Sequence, residues 1–264
     1  MIKLFATDMD GTFLKADKTY DAERFAQLHQ QMLDRNIQFV VASGNQYFQL
    51  RSFFEAYPDV IFVAENGAYI RDTEHIYNVE SFDDTTVNEM LTELQDIPDI
   101  QILACGQESA YTLNTTDPAH VEEARHYYHH LAVIDNYAQM DDNILKFAIT
   151  CPVPQTQALI KDFTDRFAGR AVPTSSGHGD IDLIQPGINK AYGLTHLGQR
   201  LGISLDDMAA FGDGGNDIEM LQAVGTGVAM ANAQPDVLAV ANHVTGNNED
   251  QGVLQFIANE LARR

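Results

Sequence analysis

The first dozen residues decide most of what this chain can become. Ile2-Lys3-Leu4-Phe5-Ala6-Thr7 is a short, largely apolar, β-prone run, which predicts a buried strand. Two carboxylates, Asp8 and Asp10, follow where that strand should end, and Gly11 lets the chain turn sharply away. Their period-two spacing puts both acids on one side of an extended chain. Like charges this close call for a divalent cation or a shared proton. A calcium loop with the same opening letters needs Asp or Asn at its fifth position and Gly at its sixth. Thr12 and Phe13 stand there, so that reading fails. A surface turn rich in Asp is the remaining alternative for this stretch taken alone.

Residues 21–67 repeat the same construction. Asp21 to Arg35 reads as a helix with Phe25, Leu28 and Met32 on one face and Asp21 as its cap. Gln38-Phe39-Val40-Val41-Ala42 is a second strand that ends at Ser43-Gly44-Asn45. Gln46 to Tyr57 reads as a second helix, stopped by Pro58. Val60 to Ala64 is a third strand, ended by Glu65-Asn66-Gly67. Buried-type strands alternating with helices are the signature of a doubly wound parallel sheet.

After about Ser81 the rhythm changes. Helices fit Thr85 to Leu94, Pro118 to Leu131 and Pro154 to Phe167. Shorter strands fit Gln101 to Ala104, Ala110 to Asn114, Leu145 to Thr150 and Asp180 to Ile184. This pattern predicts an antiparallel sheet with helices on one face. Residues 83–185 therefore read as an inserted α+β domain, and 1–82 with 186–264 as the α/β core that contains it. Tyr127-Tyr128-His129-His130 lacks the spacing of a zinc site and reads as a solvated helix end. The first rhythm resumes with a helix from Ala191 to Leu201, closed by Gly202. Strands at Met208 to Phe211 and Gly227 to Met230, a short edge strand at His243 to Thr245, and helices at Ile218 to Val224, Pro235 to Ala241 and Gly252 to Leu261 complete it.

Composition narrows the partners. With 45% hydrophobic residues in 264, the chain can fill a proper core. Its net charge of −22 argues against nucleic acid and anionic membranes, and any phosphate it binds needs a local cation. Cys105 and Cys151 form no CxxC pair and are too few for a disulfide framework; reduced thiols suit a cytoplasm. There is no charged, apolar leader and no apolar run of membrane-spanning length, so a cytoplasmic location is the expectation.

Four stretches then share one geometric property. Asp8/Asp10, Ser43/Gly44 and Asp213/Asn216/Asp217 each lie just past the C-terminal end of a predicted parallel strand. Lys190 opens a helix that leads back to that sheet. Right-handed crossovers place such ends on one edge, around one crevice. Asp8 and Asp213 offer two hard oxygen ligands, few enough to leave a magnesium ion its waters and a phosphate oxygen. Lys190 adds a point charge for phosphate. Ser43, with the N–H groups after it at a helix start, can hydrogen-bond phosphate, and Asn216 can donate too. Taken singly, a serine like Ser43 is more often a helix cap than a ligand, and a lysine like Lys190 is usually just solvated. Gly212-Asp213-Gly214-Gly215 is not a dinucleotide loop, because Asp217 stands where a third Gly is needed.

These motifs in this order resemble the haloacid dehalogenase superfamily, and its Cof-type branch in particular. Asp8-Met9-Asp10-Gly11-Thr12 is similar to its first motif and Ala42-Ser43-Gly44 to its second. Lys190 stands as the third and Gly212 to Asp217 as the fourth. Ser43-Gly44-Asn45-Gln46-Tyr47 is similar to the enterobacterial sugar phosphatases of that branch, although many relatives carry Arg where Asn45 stands. The resemblance implies a Rossmann-like core with an inserted cap. It implies Asp8 as the nucleophile that forms an aspartyl-phosphate and Asp10 as acid and then base. Mg2+ would be held by Asp8, the carbonyl of Asp10 and Asp213, with Asp217 in support. Ser43, Gly44, Lys190 and Asn216 would hold phosphate.

The expected activity is hydrolysis of small phosphate monoesters, sugar phosphates above all. A phosphomutase and a non-catalytic phosphosugar-binding protein are the alternatives. The basic residues Arg125, Lys146, Lys161, Arg166 and Arg170 of the insertion look scattered, which speaks against the clamp a mutase requires. None of the core motifs reads the leaving group. His178, in Ser175-Ser176-Gly177-His178-Gly179-Asp180, is the candidate for that in the insertion; a plain hairpin turn would explain the two glycines as well.

Overall fold

The structure is a computed structural model and describes residues 1–177 and 179–263. The chain begins β1 (Leu4–Thr7), α1 (Ala22–Leu33), β2 (Gln38–Ala42), α2 (Tyr47–Ser52), β3 (Ile61–Ala64), β4 (Tyr69–Arg71) and β5 (Ile76–Val79). It continues through α3 (Asp84–Gln95), β6 (Gln101–Gly106), β7 (Ala110–Leu113), α4 (Pro118–Ala124), β8 (Leu131–Ile134), β9 (Ile144–Thr150), α5 (Thr156–Arg166), β10 (Val172–Gly177) and β11 (Asp180–Ile184). It closes with α6 (Lys190–Leu201), β12 (Met208–Gly212), α7 (Ile218–Ala223), β13 (Thr226–Ala229), α8 (Pro235–Val240), β14 (His243–Val244) and α9 (Gly252–Ala262).

Among the described residues the strands form two sheets. The first runs β14-β13-β12-β1-β2-β3-β4-β5, parallel from β14 to β3 and antiparallel over the last two pairs. The second runs β10-β11-β9-β6-β7-β8. β1 lies mid-sheet with every residue buried, as its apolar sequence dictates. Leu4 faces Met208 on one side and Gln38 on the other. Asp21 caps α1 by accepting from Arg24 N–H, and its buried stripe is Phe25, Leu28, His29 and Met32. Phe25 and Phe39 meet there edge to face, 5.0 Å between centroids, beside Phe13 and Phe54.

The second sheet has a core of its own, built from Leu91 and Leu94 of α3, Phe163 of α5, Phe147 of β9, and Ile181 and Leu183 of β11. The chain enters and leaves it side by side. Gln185 Nε2 donates to the Glu80 carbonyl at 2.9 Å and to the Leu145 carbonyl at 3.3 Å, which ties the two connections together. No helix among the described residues is long and apolar enough to cross a membrane.

Several elements differ from expectation. β4 and β5 extend the first sheet as an antiparallel hairpin over residues the hydrophobic pattern left unassigned. The second sheet is antiparallel except for its β7–β8 pair, which is parallel. The helix expected to Tyr57 stops at Ser52. The helix expected from Pro118 to Leu131 ends at Ala124, and Leu131–Ile134 instead pairs with Ala110–Leu113. Strand pairing there overrides a helical pattern that Tyr127 and Tyr128 only weakly support. Tyr127-Tyr128-His129-His130 lies just past the end of α4 with Tyr127, His129 and His130 exposed, as a solvated helix end would be, and Tyr128 half-buried. His130 stacks on Phe48 at 3.6 Å, and its backbone exchanges two hydrogen bonds with the Gln46 side chain, at 2.8 and 2.9 Å.

Candidate active site

β1 ends at Thr7, and the next N–H, that of Asp8, still bonds to the Phe211 carbonyl. The chain then wraps round the Met9 carbonyl, which accepts from the N–H groups of Thr12, Phe13 and Leu14. Gly11 makes that wrap possible with φ +75°. A Cβ there would lie 2.4 Å from Asp213 Oδ2, so the glycine serves both the turn and the close approach of a second acid. Thr12 Oγ1 donates to Asp213 Oδ1 at 2.6 Å, joining the loop after β1 to the loop after β12 across 201 residues.

Lys190 holds the centre. It is 1% exposed, and its ammonium donates to Asp8 Oδ1 at 2.7 Å and to Asp217 Oδ1 at 2.6 Å. Asn189 caps α6 and thereby fixes where that lysine starts. Asp217 is fully buried, and its Oδ2 accepts from Asp213 N–H and Gly214 N–H, both at 3.0 Å. Both of its oxygens are thus engaged, and it braces Lys190 and the turn that carries Asp213.

Asp8, Asp213 and Asp217 place ligand oxygens within 4.8 Å of one another. Burial drives the Asp8 carboxyl well above its usual range; Lys190 opposes this, while Asp217 and Asp213 add to it. Asp213 is pushed up to about 6, again chiefly by burial. Lys190 is held above the ordinary lysine range by these same acids, whose attraction outweighs its burial. Three carboxylates around one ammonium are short of positive charge. Hard oxygen donors with a net negative field fit a magnesium ion.

Ser43 and Gly44 follow β2 as expected, but not at a helix start. α2 begins at Tyr47, and its cap residue is Gln46. The buried Ser43 Oγ accepts from Asn45 N–H at 3.1 Å. Asp10 faces outward, with Oδ1 taking Lys18 Nζ at 2.7 Å and Oδ2 taking Asn45 Nδ2 at 2.8 Å. Asn216 donates to Asn66 Oδ1 at 3.2 Å. The structure therefore brings Asp8, Asp10, Ser43, Gly44, Lys190, Asp213, Asn216 and Asp217 to one end of the first sheet. His178 lies outside the described residues.

The second sheet roofs this end. A cavity of about 460 Å³ runs from Asp8, Asp10 and Asp213 below to Leu103, Tyr127, Tyr128 and Ile149 above. Sequence reasoning missed much of its wall. Lys146, which looks scattered in the sequence, is 2% exposed and donates to Asp182 Oδ2 at 2.9 Å and to the Gly44 carbonyl at 2.7 Å. The signal was available: a lone lysine inside Ile144-Leu145-Lys146-Phe147-Ala148-Ile149 has to find partners. Asn66 was missed too; its amide donates to Asp182 Oδ2 at 2.6 Å.

Set against known proteins, the haloacid dehalogenase-like hydrolase family matches residues 5–257. The chain belongs to that family. It is 44% identical to 5-amino-6-(5-phospho-D-ribitylamino)uracil phosphatase YbjI of Escherichia coli (strain K12), over 97% of this chain and 95% of that protein. It is 30% identical to pyridoxal phosphate phosphatase YbhA of the same organism, over 98% of both. The crystal structure of SMU.1108c from Streptococcus mutans UA159 superposes with a TM-score of 0.93. The identity there is 33%, covering 99% of this chain and 100% of that one. Within this family of hydrolases, the buried acid cluster and the two-sheet architecture find their place.

Proposed function

We propose that this chain is a magnesium-dependent phosphatase of small phosphate monoesters, acting through an aspartyl-phosphate on Asp8. The observation that carries the reading is Lys190, buried between Asp8 and Asp217, with a second acid, Asp10, in the same cavity. Asp8 attacks phosphorus as the bond to the leaving oxygen breaks, and Asp10 gives that oxygen its proton. Asp10 then takes a proton from the water that attacks the aspartyl-phosphate, and inorganic phosphate leaves. Lys190 favours the anionic form of Asp8 against its burial and neutralises the phosphoryl oxygens. Ser43, the Gly44 turn and Asn216 hold the phosphate. Lys18 and Asn45 each engage one oxygen of Asp10, and each oxygen keeps a further lone pair that can meet the leaving group.

Asp8, Asp213 and the backbone carbonyl of Asp10 would hold magnesium, and Asp217 would brace them. When bound, the ion supplies positive charge against the phosphate and the acids. Residues 83–185 serve as the cap that selects the leaving group. A phosphorylated sugar or polyol fits the cavity: Thr150 and Thr174 offer hydroxyl partners, and Tyr127, Tyr128 and Leu103 offer apolar cover. The phosphoribityl group named for the 44% identical relative is of this kind. Cys105 and Cys151 are buried free thiols, in keeping with the reducing cytoplasm.

The test is phosphate release from sugar phosphates and from 5-amino-6-(5-phospho-D-ribitylamino)uracil, with and without magnesium. Activity should vanish on chelation, return with magnesium and return poorly with calcium, whose looser shell misplaces the attacking carboxylate. Asp8→Asn should be folded and inactive. Sustained turnover by that variant, or by the chelated enzyme, would refute the mechanism.

A further inference from the structure

Lys146 lines the cavity, and the simplest role for it would be to hold an anionic part of the substrate. Its contacts argue otherwise. The ammonium already donates to the Gly44 carbonyl and to Asp182 Oδ2. Its remaining side faces Glu65 Oε2 at 3.4 Å and the Tyr128 ring, 5.9 Å from the ring centroid. Two hydrogen bonds and one ion-pair contact thus already engage the ammonium.

The acceptor that matters is Gly44. A peptide is planar, so a carbonyl fixed from one side aims the following N–H to the other. That N–H belongs to Asn45 and donates to Ser43 Oγ. Ser43 accepts there, which leaves its own hydrogen for an acceptor in the cavity. The Asn45 side chain continues the chain of contacts to Asp10 Oδ2. One ammonium from the second sheet thereby sets the peptide that orients the Ser43 hydroxyl and the Asp10 carboxylate. A glycine peptide turns easily when it loses such a partner. A second arm runs from the same pair: Asp182 accepts from Asn66, whose oxygen accepts from Asn216.

Resting on the phosphatase reading, we propose that Lys146 is a positioning residue for the phosphate-binding turn Ser43-Gly44-Asn45. It makes that turn competent only while the inserted sheet is closed over the core. The predicted consequence is unusual for a cap residue: its loss should harm every substrate, whatever the leaving group.

The experiment compares wild type with Lys146→Met on ribose 5-phosphate and on acetyl phosphate, a small acyl phosphate indifferent to the cap. It also measures inhibition by the product, inorganic phosphate. A turn displaced by a fraction of an ångström should lower kcat/KM roughly tenfold or more on both substrates. Inhibition by phosphate should weaken in step. Loss confined to ribose 5-phosphate, with acetyl phosphate and phosphate inhibition unchanged, would overturn the proposal and make Lys146 a reader of the leaving group. No loss on either would overturn it too. If Lys146→Met does not fold, Lys146→Met with Glu65→Gln removes the buried ammonium together with the buried carboxyl beside it and is judged by the same outcomes. An inactive wild type would instead refute the phosphatase reading, so the two failures stay distinct.

Discussion

Glu65 should make this protein less stable as the pH rises, and Glu65→Gln should abolish that effect. The residue is 1% exposed at the end of β3, and neither carboxylate oxygen has a hydrogen-bond partner. Burial pushes its carboxyl up from 4.5 to about 7, more than the Lys146 ammonium at 3.4 Å pulls it down, while Asp182 pushes the same way as burial. A carboxyl with a raised folded-state value favours folding most when it is protonated. Its contribution is complete below about 4.5 and is lost as the pH climbs through about 7. Linkage over that interval makes wild type lose about 2–3 kcal/mol between pH 5 and pH 8 that Glu65→Gln does not lose. For a chain of this size that corresponds to roughly 5–10 °C in melting temperature. The constant cost of an unpartnered glutamine amide cancels when the two pH values are compared within each protein. Thermal melts of both proteins at the two pH values measure the difference. A gap between variant and wild type that does not change with pH would refute the reasoning. A gap that narrows toward pH 8, with the variant losing more than wild type, would mean that the Lys146 attraction outweighs burial.

Two other perturbations test the acid cluster. Lys190→Met leaves Asp8 and Asp217 buried without their cation, which should cost about 3–5 kcal/mol at neutral pH; melts should show partial recovery toward pH 5 as the raised carboxyls of Asp8 and Asp213 take up protons. Gly11→Ala places a methyl against Asp213 Oδ2 at φ +75°, so the magnesium concentration giving half-maximal activity should rise about tenfold or more, read by titrating activity with the ion.

The parts of this molecule that could be read from sequence are those where local chemistry and tertiary position agree. Asp8 after an apolar run, Lys190 after a capping Asn189 and Asp213 after Met208-Ala209-Ala210-Phe211 each sit at a strand or helix end that the sequence announces. Parallel topology then brings them together. Asn45 is different: its contact with Asp10 depends on the path of the turn after β2, which no periodicity encodes. Lys146 was visible as an oddity in an apolar strand, but its acceptors come from β11 and from the loops after β2 and β3. The helix predicted to Leu131 ends at Ala124, and Leu131, its last predicted residue, instead opens β8 beside β7. Glu65 and Asn66 have φ of 51° and 55°; Asn66 is a residue type that tolerates the left-handed region, but Glu65 gives no sign of it.

The position of β1 has a consequence for how the chain is made. It lies between β2 and β12, and Asp8 meets Lys190 across a sequence separation of 182. As the polypeptide emerges, β1 can pair with β2 early, but its other edge stays open until Met208–Gly212 arrives. The inserted sheet emerges in between with a core of its own and can condense first. β1 thus waits for its second neighbour until β12 is made, and the acid cluster is among the last features to form. A chain that stops before β12 would carry an unpaired strand edge in the middle of its principal sheet, where a complete molecule keeps its chemistry.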